Sequence, residues 1–139
     1  MYQREFNLDE LTDVAVDIIK LNKDSRIYCL KGDLGAGKTT LVESICQKLG
    51  SKDLFSSPTF SIFNEYAYPE GTIIHADLYR IQNREELVDI GLEDYLNRGD
   101  YCFIEWYQVA ETMLPSPYYI LSLEYKSEYC RLISIELIK

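Results

Sequence analysis

Apolar residues recur every three or four positions near the start of the chain, at Leu11, Val14, Ala15, Ile18 and Leu21. That period predicts a helix over 9–22 with one buried face. Asn7 followed by Glu10 supplies a capping pair ahead of it. Asp13, Asp17 and Lys20 fall on the polar face and are expected in solvent. The pattern then shifts to short unbroken apolar runs. Arg26-Ile27-Tyr28-Cys29-Leu30, Thr72-Ile73-Ile74-His75-Ala76 and Tyr101-Cys102-Phe103-Ile104 each read as a buried strand.

Between these runs lie helical stretches. Residues 39–49 read as a helix ended by Gly50, and 83–96 as a helix interrupted near Gly91. Residues 60–68 read as extended, before the turn Pro69-Glu70-Gly71. The tail alternates over 118–125 and 129–137 and is expected to form a hairpin turning at Lys126-Ser127-Glu128. Strands alternating with helices predict an α/β fold, with a central, largely parallel sheet, flanking helices and an antiparallel edge hairpin. No repeat or Pro/Ser linker divides the chain, so a single domain over 1–139 is expected.

Composition narrows the function classes. Hydrophobic residues make up 47% and charged residues 27% of the 139, the balance of a soluble globular protein with a continuous core. No run of about 18 apolar residues is present, so no membrane span is expected, and the start lacks a secretory leader. The cytoplasm is the expected address. The net charge of −9 repels polyanions, which disfavours a domain gripping nucleic acid through its phosphates and leaves room for protein partners. The four cysteines form no C-x-x-C pair and read as small buried hydrophobes.

The segment Gly32-Asp33-Leu34-Gly35-Ala36-Gly37-Lys38-Thr39 matches G-x-x-x-x-G-K-[ST]. Its glycines let successive backbone N–H groups converge on phosphates, and the helix that follows adds its positive end. Lys38 is expected to reach the β- and γ-phosphates, and the Thr39 hydroxyl to coordinate magnesium. Asp33, Leu34, Gly35, Ala36, Gly37, Lys38, Thr39 and Thr40 are thus the expected nucleotide contacts. The pattern arises by chance in a chain this long on the order of half a percent of the time. A strand before it and a helix after it supply the context the motif requires. Asn22-Lys23-Asp24 is one residue short of a guanine-reading N-K-x-D and precedes the loop, so ATP is the expected ligand.

Hydrolysis at such a loop needs a carboxylate near magnesium, usually at the end of a neighbouring strand. Asp77 and Glu105 both stand at strand ends and both remain candidates. His75 points to the same strand face as Asp77, and with no second histidine it reads as a packing or hydrogen-bonding residue. Thr59, in Ser57-Pro58-Thr59, is either a turn residue or a hydroxyl that senses the γ-phosphate. Trp106, the only tryptophan, is a core or interface residue on spacing alone.

Four segments then occur in order: Gly32 to Leu41, Ser57-Pro58-Thr59-Phe60, His75-Ala76-Asp77-Leu78-Tyr79-Arg80 and Ile104-Glu105-Trp106. Together they resemble the TsaE (YjeE) family, bacterial ATPases required to make threonylcarbamoyladenosine in transfer RNA. The likeness covers nearly the whole chain, taking in Gly91 to Leu96 and Leu114-Pro115. The resemblance implies a P-loop fold, magnesium-dependent ATP hydrolysis, and assembly with the TsaB–TsaD pair that modifies adenosine 37, with tRNA met only through that complex. It also implies that Lys38 and Thr39 hold phosphate and magnesium, that Thr59 is the switch-like hydroxyl, and that Asp77 supports the metal or the attacking water. Glu105 becomes the strand-end carboxylate at magnesium, and Trp106 a neighbour of the nucleotide. Tyr107 departs from the pattern, where a proline or small residue is commoner.

Two other classes fit a phosphate loop. A small-molecule kinase would need an arginine-bearing lid, and residues 107–117 hold no basic residue. A nucleotide-dependent binding module that never hydrolyses would need fewer carboxylates near the phosphates. Arg80 and Arg84 are the nearest candidates for neutralising transition-state charge, so slow turnover by the chain alone, raised by partners, is expected.

Overall fold

The computed structural model describes residues 2–33, 36–55 and 62–139. Seven strands form one sheet: β1 (Tyr2–Asn7), β2 (Ile27–Gly32), β3 (Phe63–Tyr68), β4 (Gly71–Asp77), β5 (Tyr101–Glu105), β6 (Tyr118–Tyr125) and β7 (Cys130–Ile138). Their order is β1-β7-β6-β2-β5-β4-β3. The four central strands β6, β2, β5 and β4 run parallel, and antiparallel pairings flank them on both sides.

Strand alternation sorts the core into two layers. Tyr28 and Leu30 of β2, with Tyr101 and Phe103 of β5, pack under α1 (Leu11–Ile19) and α2 (Lys38–Leu49). Ile27, Cys29, Cys102 and Ile104 face the other way, toward α3 (Arg84–Asp89), α4 (Leu92–Asn97) and the 3-10 turns of Tyr107–Met113. The first layer is rich in aromatic rings: Tyr28 stacks on Phe103 at 5.1 Å and on Tyr119 at 5.4 Å. Tyr107 is buried in the second layer, so the departure noted in the sequence fills core.

The parallel sheet, the helix from the phosphate loop, the break at Gly91 and the tail hairpin all match the expectation. Three details differ. The helix expected over 9–22 is α-helical only in Leu11–Ile19, with 3-10 turns at Leu8–Glu10 and Lys20–Lys23. Residues before it form β1, whose alternation of half-buried Tyr2, Arg4 and buried Phe6 is too polar to read as a strand. β1 covers β7, so the tail hairpin is not the sheet's edge. Asp17 is not simply solvated: it accepts hydrogen bonds from the Tyr2 hydroxyl (2.8 Å) and Arg4 Nη1 (3.2 Å), tying α1 to β1. All four cysteines are free, three of them buried. No helix among the described residues is long and apolar enough to cross a membrane.

Candidate functional site

β2 delivers the chain to the C-terminal edge of the parallel sheet, where ligand crevices of such folds lie. Gly32, its last residue, pairs with Leu123 of β6 so closely that a Cβ there would sit 2.5 Å from the Leu123 carbonyl oxygen. Only a residue without a side chain passes this point. The chain then turns, with the Ala36 N–H donating to the Asp33 carbonyl (3.0 Å), and Gly37 begins α2 from a left-handed φ of 102°. A side chain rarely adopts that conformation. α2 thus opens with Lys38, Thr39 and Thr40, its free N–H groups and positive end directed at the loop.

Lys38 Nζ donates to the Gly32 carbonyl at 2.8 Å, which holds the ammonium across the mouth of the loop. Together with Leu30, Gly32, Asp33, Trp106 and Gln108 it lines a cleft of about 200 Å³. Thr39 is half-buried, and Asp33 and Thr40 are exposed. Leu34, Gly35 and Thr59 lie outside the described residues.

The carboxylates come from the neighbouring strands. Glu105 ends β5 in register with Leu30 of β2, and Asp77 ends β4 in register with Glu105. All three therefore stand in one row at the edge where the loop begins. Alternation from Phe103 and Ile73, both in the α1/α2 layer, places His75, Asp77 and Glu105 on that same face. Among the described residues, no group of three or more acidic, histidine or cysteine side chains converges to hold a metal by itself.

The two carboxylates differ. Glu105 is buried, and its Oε2 lies 2.8 Å from His75 Nε2. Asp77 is half-buried; desolvation raises its pKa, the Tyr79 N–H at 3.0 Å opposes the rise, the Glu105 charge adds to it, and His75 and Lys38 offset it. Directly after Glu105, Trp106 takes a left-handed backbone (φ 58°), a conformation costing roughly 1–2 kcal/mol for a residue with a side chain. The turn leaves the indole 52% exposed at the rim, tilted against Tyr79 with centroids 5.0 Å apart.

Sequence reasoning missed Arg131. Its guanidinium is buried: Nε donates to the Ala36 carbonyl (3.1 Å), and Nη1 to the Ser127 (2.7 Å) and Cys130 (3.0 Å) carbonyls. One side chain thus pins the phosphate loop to the β6–β7 turn. No local pattern announces it, because the two partners are far apart in the chain and β7 alternates like any strand. A second hollow of about 240 Å³, walled by Phe6, Leu11, Thr40, Leu123 and Arg131, opens on this side of the loop.

The model of the family "Threonylcarbamoyl adenosine biosynthesis protein TsaE" matches residues 6–133. Curated relatives called tRNA threonylcarbamoyladenosine biosynthesis protein TsaE include one from Haemophilus influenzae, 38% identical over 109 residues, covering 78% of this chain and 69% of that protein. A second, from Bacillus subtilis, is 35% identical over 112 residues, covering 81% and 70%. The crystal structure of Bacillus subtilis YdiB superposes with a TM-score of 0.74 at 25% identity, covering 99% of this chain and 87% of that one. The family model spans the phosphate loop and both carboxylate strands, and the relatives and the solved structure agree with it: the chain belongs to the TsaE family.

Proposed function

We propose that this chain binds ATP with magnesium at the phosphate loop and hydrolyses it, working with the TsaB–TsaD pair in forming threonylcarbamoyladenosine at position 37 of tRNA. The observation that carries the reading is the row Leu30–Glu105–Asp77, which sets two carboxylates beside the strand that feeds Gly32 and Lys38. A module that only binds nucleotide has no need to bury Glu105 at that edge, because burying a carboxyl group is costly unless it is hydrogen-bonded and used.

In this reading the N–H groups at the start of α2 and the Lys38 ammonium grip the phosphates. Lys38 exchanges its bond to the Gly32 carbonyl for phosphate oxygens. The Thr39 hydroxyl and Glu105 would hold magnesium, which supplies charge neutralisation on the phosphates when bound. Asp77 stands one strand further out, where it orients water. Thr59 is retained as the hydroxyl that senses the γ-phosphate, and Trp106 as a wall of the cleft. Arg80 and Arg84, both exposed beyond Asp77, leave the transition-state charge poorly neutralised until a partner docks. The acidic surface supports action through proteins, with tRNA reached through them. The cytoplasm is the matching compartment.

The test is ATP turnover by the pure chain, alone and with TsaB–TsaD, with Lys38→Ala as control. Slow basal turnover, raised by the pair and abolished in Lys38→Ala, is the expected result. ATP binding with no turnover under either condition would replace this reading with the nucleotide-dependent binding module.

A further inference from the structure

His75 is completely buried, and one of its ring nitrogens has no hydrogen-bond partner among the described residues. A buried polar atom left unpaired costs on the order of 1–3 kcal/mol, so the ring must serve a purpose that leucine would not. Its surroundings define that purpose. His75 sits on β4 opposite Phe103 of β5, and its Nε2 reaches diagonally to Oε2 of Glu105, two residues along, at 2.8 Å. Phe55 stacks on the ring at 5.9 Å, which holds its plane. A carboxylate only accepts hydrogen bonds, so Nε2 must carry the hydrogen. In the neutral ring that leaves Nδ1 as a lone pair, whereas the opposite tautomer would bury an N–H with no acceptor among the described residues and leave Oε2 facing a lone pair.

We propose that His75 is a positioning residue for Glu105. Its Nε2–H fixes one carboxylate oxygen and the rotamer, so that Glu105 serves the site through its other oxygen alone. The inference deepens the ATPase reading and rests on it for the role of Glu105. Without the tether, Glu105 would turn among rotamers at the strand end or take a chelating geometry through both oxygens. No hydrogen bond or ring contact links His75 to the described residues of the phosphate loop, so nucleotide affinity is expected to depend little on it.

Because His75 is the only histidine, its two ring nitrogens can be observed without overlap in a nitrogen-15 NMR spectrum of the whole chain. The expected spectrum shows a hydrogen-bearing Nε2 and a lone-pair Nδ1, with the Nε2 signal moving in Glu105→Gln. The matching kinetic pair is His75→Phe, which keeps a ring against Phe55 but loses the donor, and His75→Gln, whose amide nitrogen falls near the Nε2 position. Turnover is expected to fall roughly 10- to 100-fold in His75→Phe with KM for ATP within about twofold, and to recover largely in His75→Gln. An Nδ1–H spectrum, wild-type turnover in His75→Phe, or equal losses in both variants would overturn the inference. Full turnover in Glu105→Gln would instead remove the role given to Glu105, and with it that of His75, whereas no turnover by the unaltered chain, alone or with TsaB–TsaD, would sink the ATPase reading itself. Should His75→Phe fail to fold, the spectrum of the unaltered chain and the His75→Gln variant still decide the contact.

Discussion

The phosphate loop and the carboxylate rim stand side by side, yet they are built in opposite ways. The loop is made of backbone: glycine at a close approach and at a left-handed helix start and, among its described residues, few side-chain bonds beyond a brace from Arg131. The rim is made of side chains on central strands, with Glu105 buried, His75 fully buried, and Asp77 partly desolvated. The loop's cost lies in conformation, while the rim's cost lies in taking charge out of water. A substitution in the loop should therefore damage the fold along with binding. At the rim, a substitution should damage turnover while leaving the fold intact or firmer.

The sharpest way to break this contrast is Glu105→Gln, which keeps the shape, and an oxygen to accept from His75, but removes the charge. Turnover is expected to fall by roughly 10²–10⁴, with the ATP Kd changed by less than about tenfold and the melting temperature not lowered. Single-turnover assays beside equilibrium binding would check it. Unchanged turnover would mean that the rim's buried acid takes no part in the chemistry, and loss of binding and folding together would mean that rim and loop are one structural unit with no division of roles.

The two regions also differ in how readily they can be read from the chain. The loop is contiguous: eight residues carry their own spacing, and the strand before them and helix after them sit next to them in sequence. The rim is assembled from β4 and β5, which two helices separate, so only strand order and register show that Asp77 and Glu105 share a row with Leu30. Buried-type runs ending in an acid made them candidates, but nothing local could separate a site carboxylate from an exposed one. The His75–Glu105 contact needed the diagonal of the register. β1 escaped notice because four of its six residues are charged or polar and its partner, β7, is the last strand of the chain. Arg131 was hidden for the same reason, as a long-range brace on an ordinary alternating strand.

A second effect, smaller than loss of turnover, is expected on the loop side. Gly32→Ala would place a methyl 2.5 Å from the Leu123 carbonyl oxygen, a backbone atom that cannot swing aside. Separating β2 from β6 to make room costs about 2 kcal/mol, in the range of overpacking, and lowers Tm by about 5–10 °C. ATP binding should weaken with it, since the loop starts from that residue. Thermal melts with and without ATP would show it; a wild-type Tm in Gly32→Ala would mean that the strand end yields easily and that the loop is not the strained partner of the comparison.

The smallest expected effect has the opposite sign and belongs to the rim. Burial raises the Asp77 pKa above its ordinary value, against the pull of the Tyr79 N–H, while the Glu105 charge pushes it up further. A carboxyl whose folded pKa is raised binds its proton more tightly folded than unfolded, so at neutral pH its ionisation costs the folded state. That cost disappears as pH falls through the folded pKa toward the unfolded value. Asp77→Asn removes the charge and keeps an oxygen to accept from the Tyr79 N–H, so the nucleotide-free variant should melt slightly higher at pH 7. The advantage should narrow as the melts are repeated at lower pH, because the wild-type carboxyl is then neutralised by its own proton. A lower Tm for Asn at pH 7, or a gap that does not change with pH, would show that packing and not charge governs this position. The rim would then share the loop's reliance on conformation, and the contrast between them would reduce to the buried Glu105.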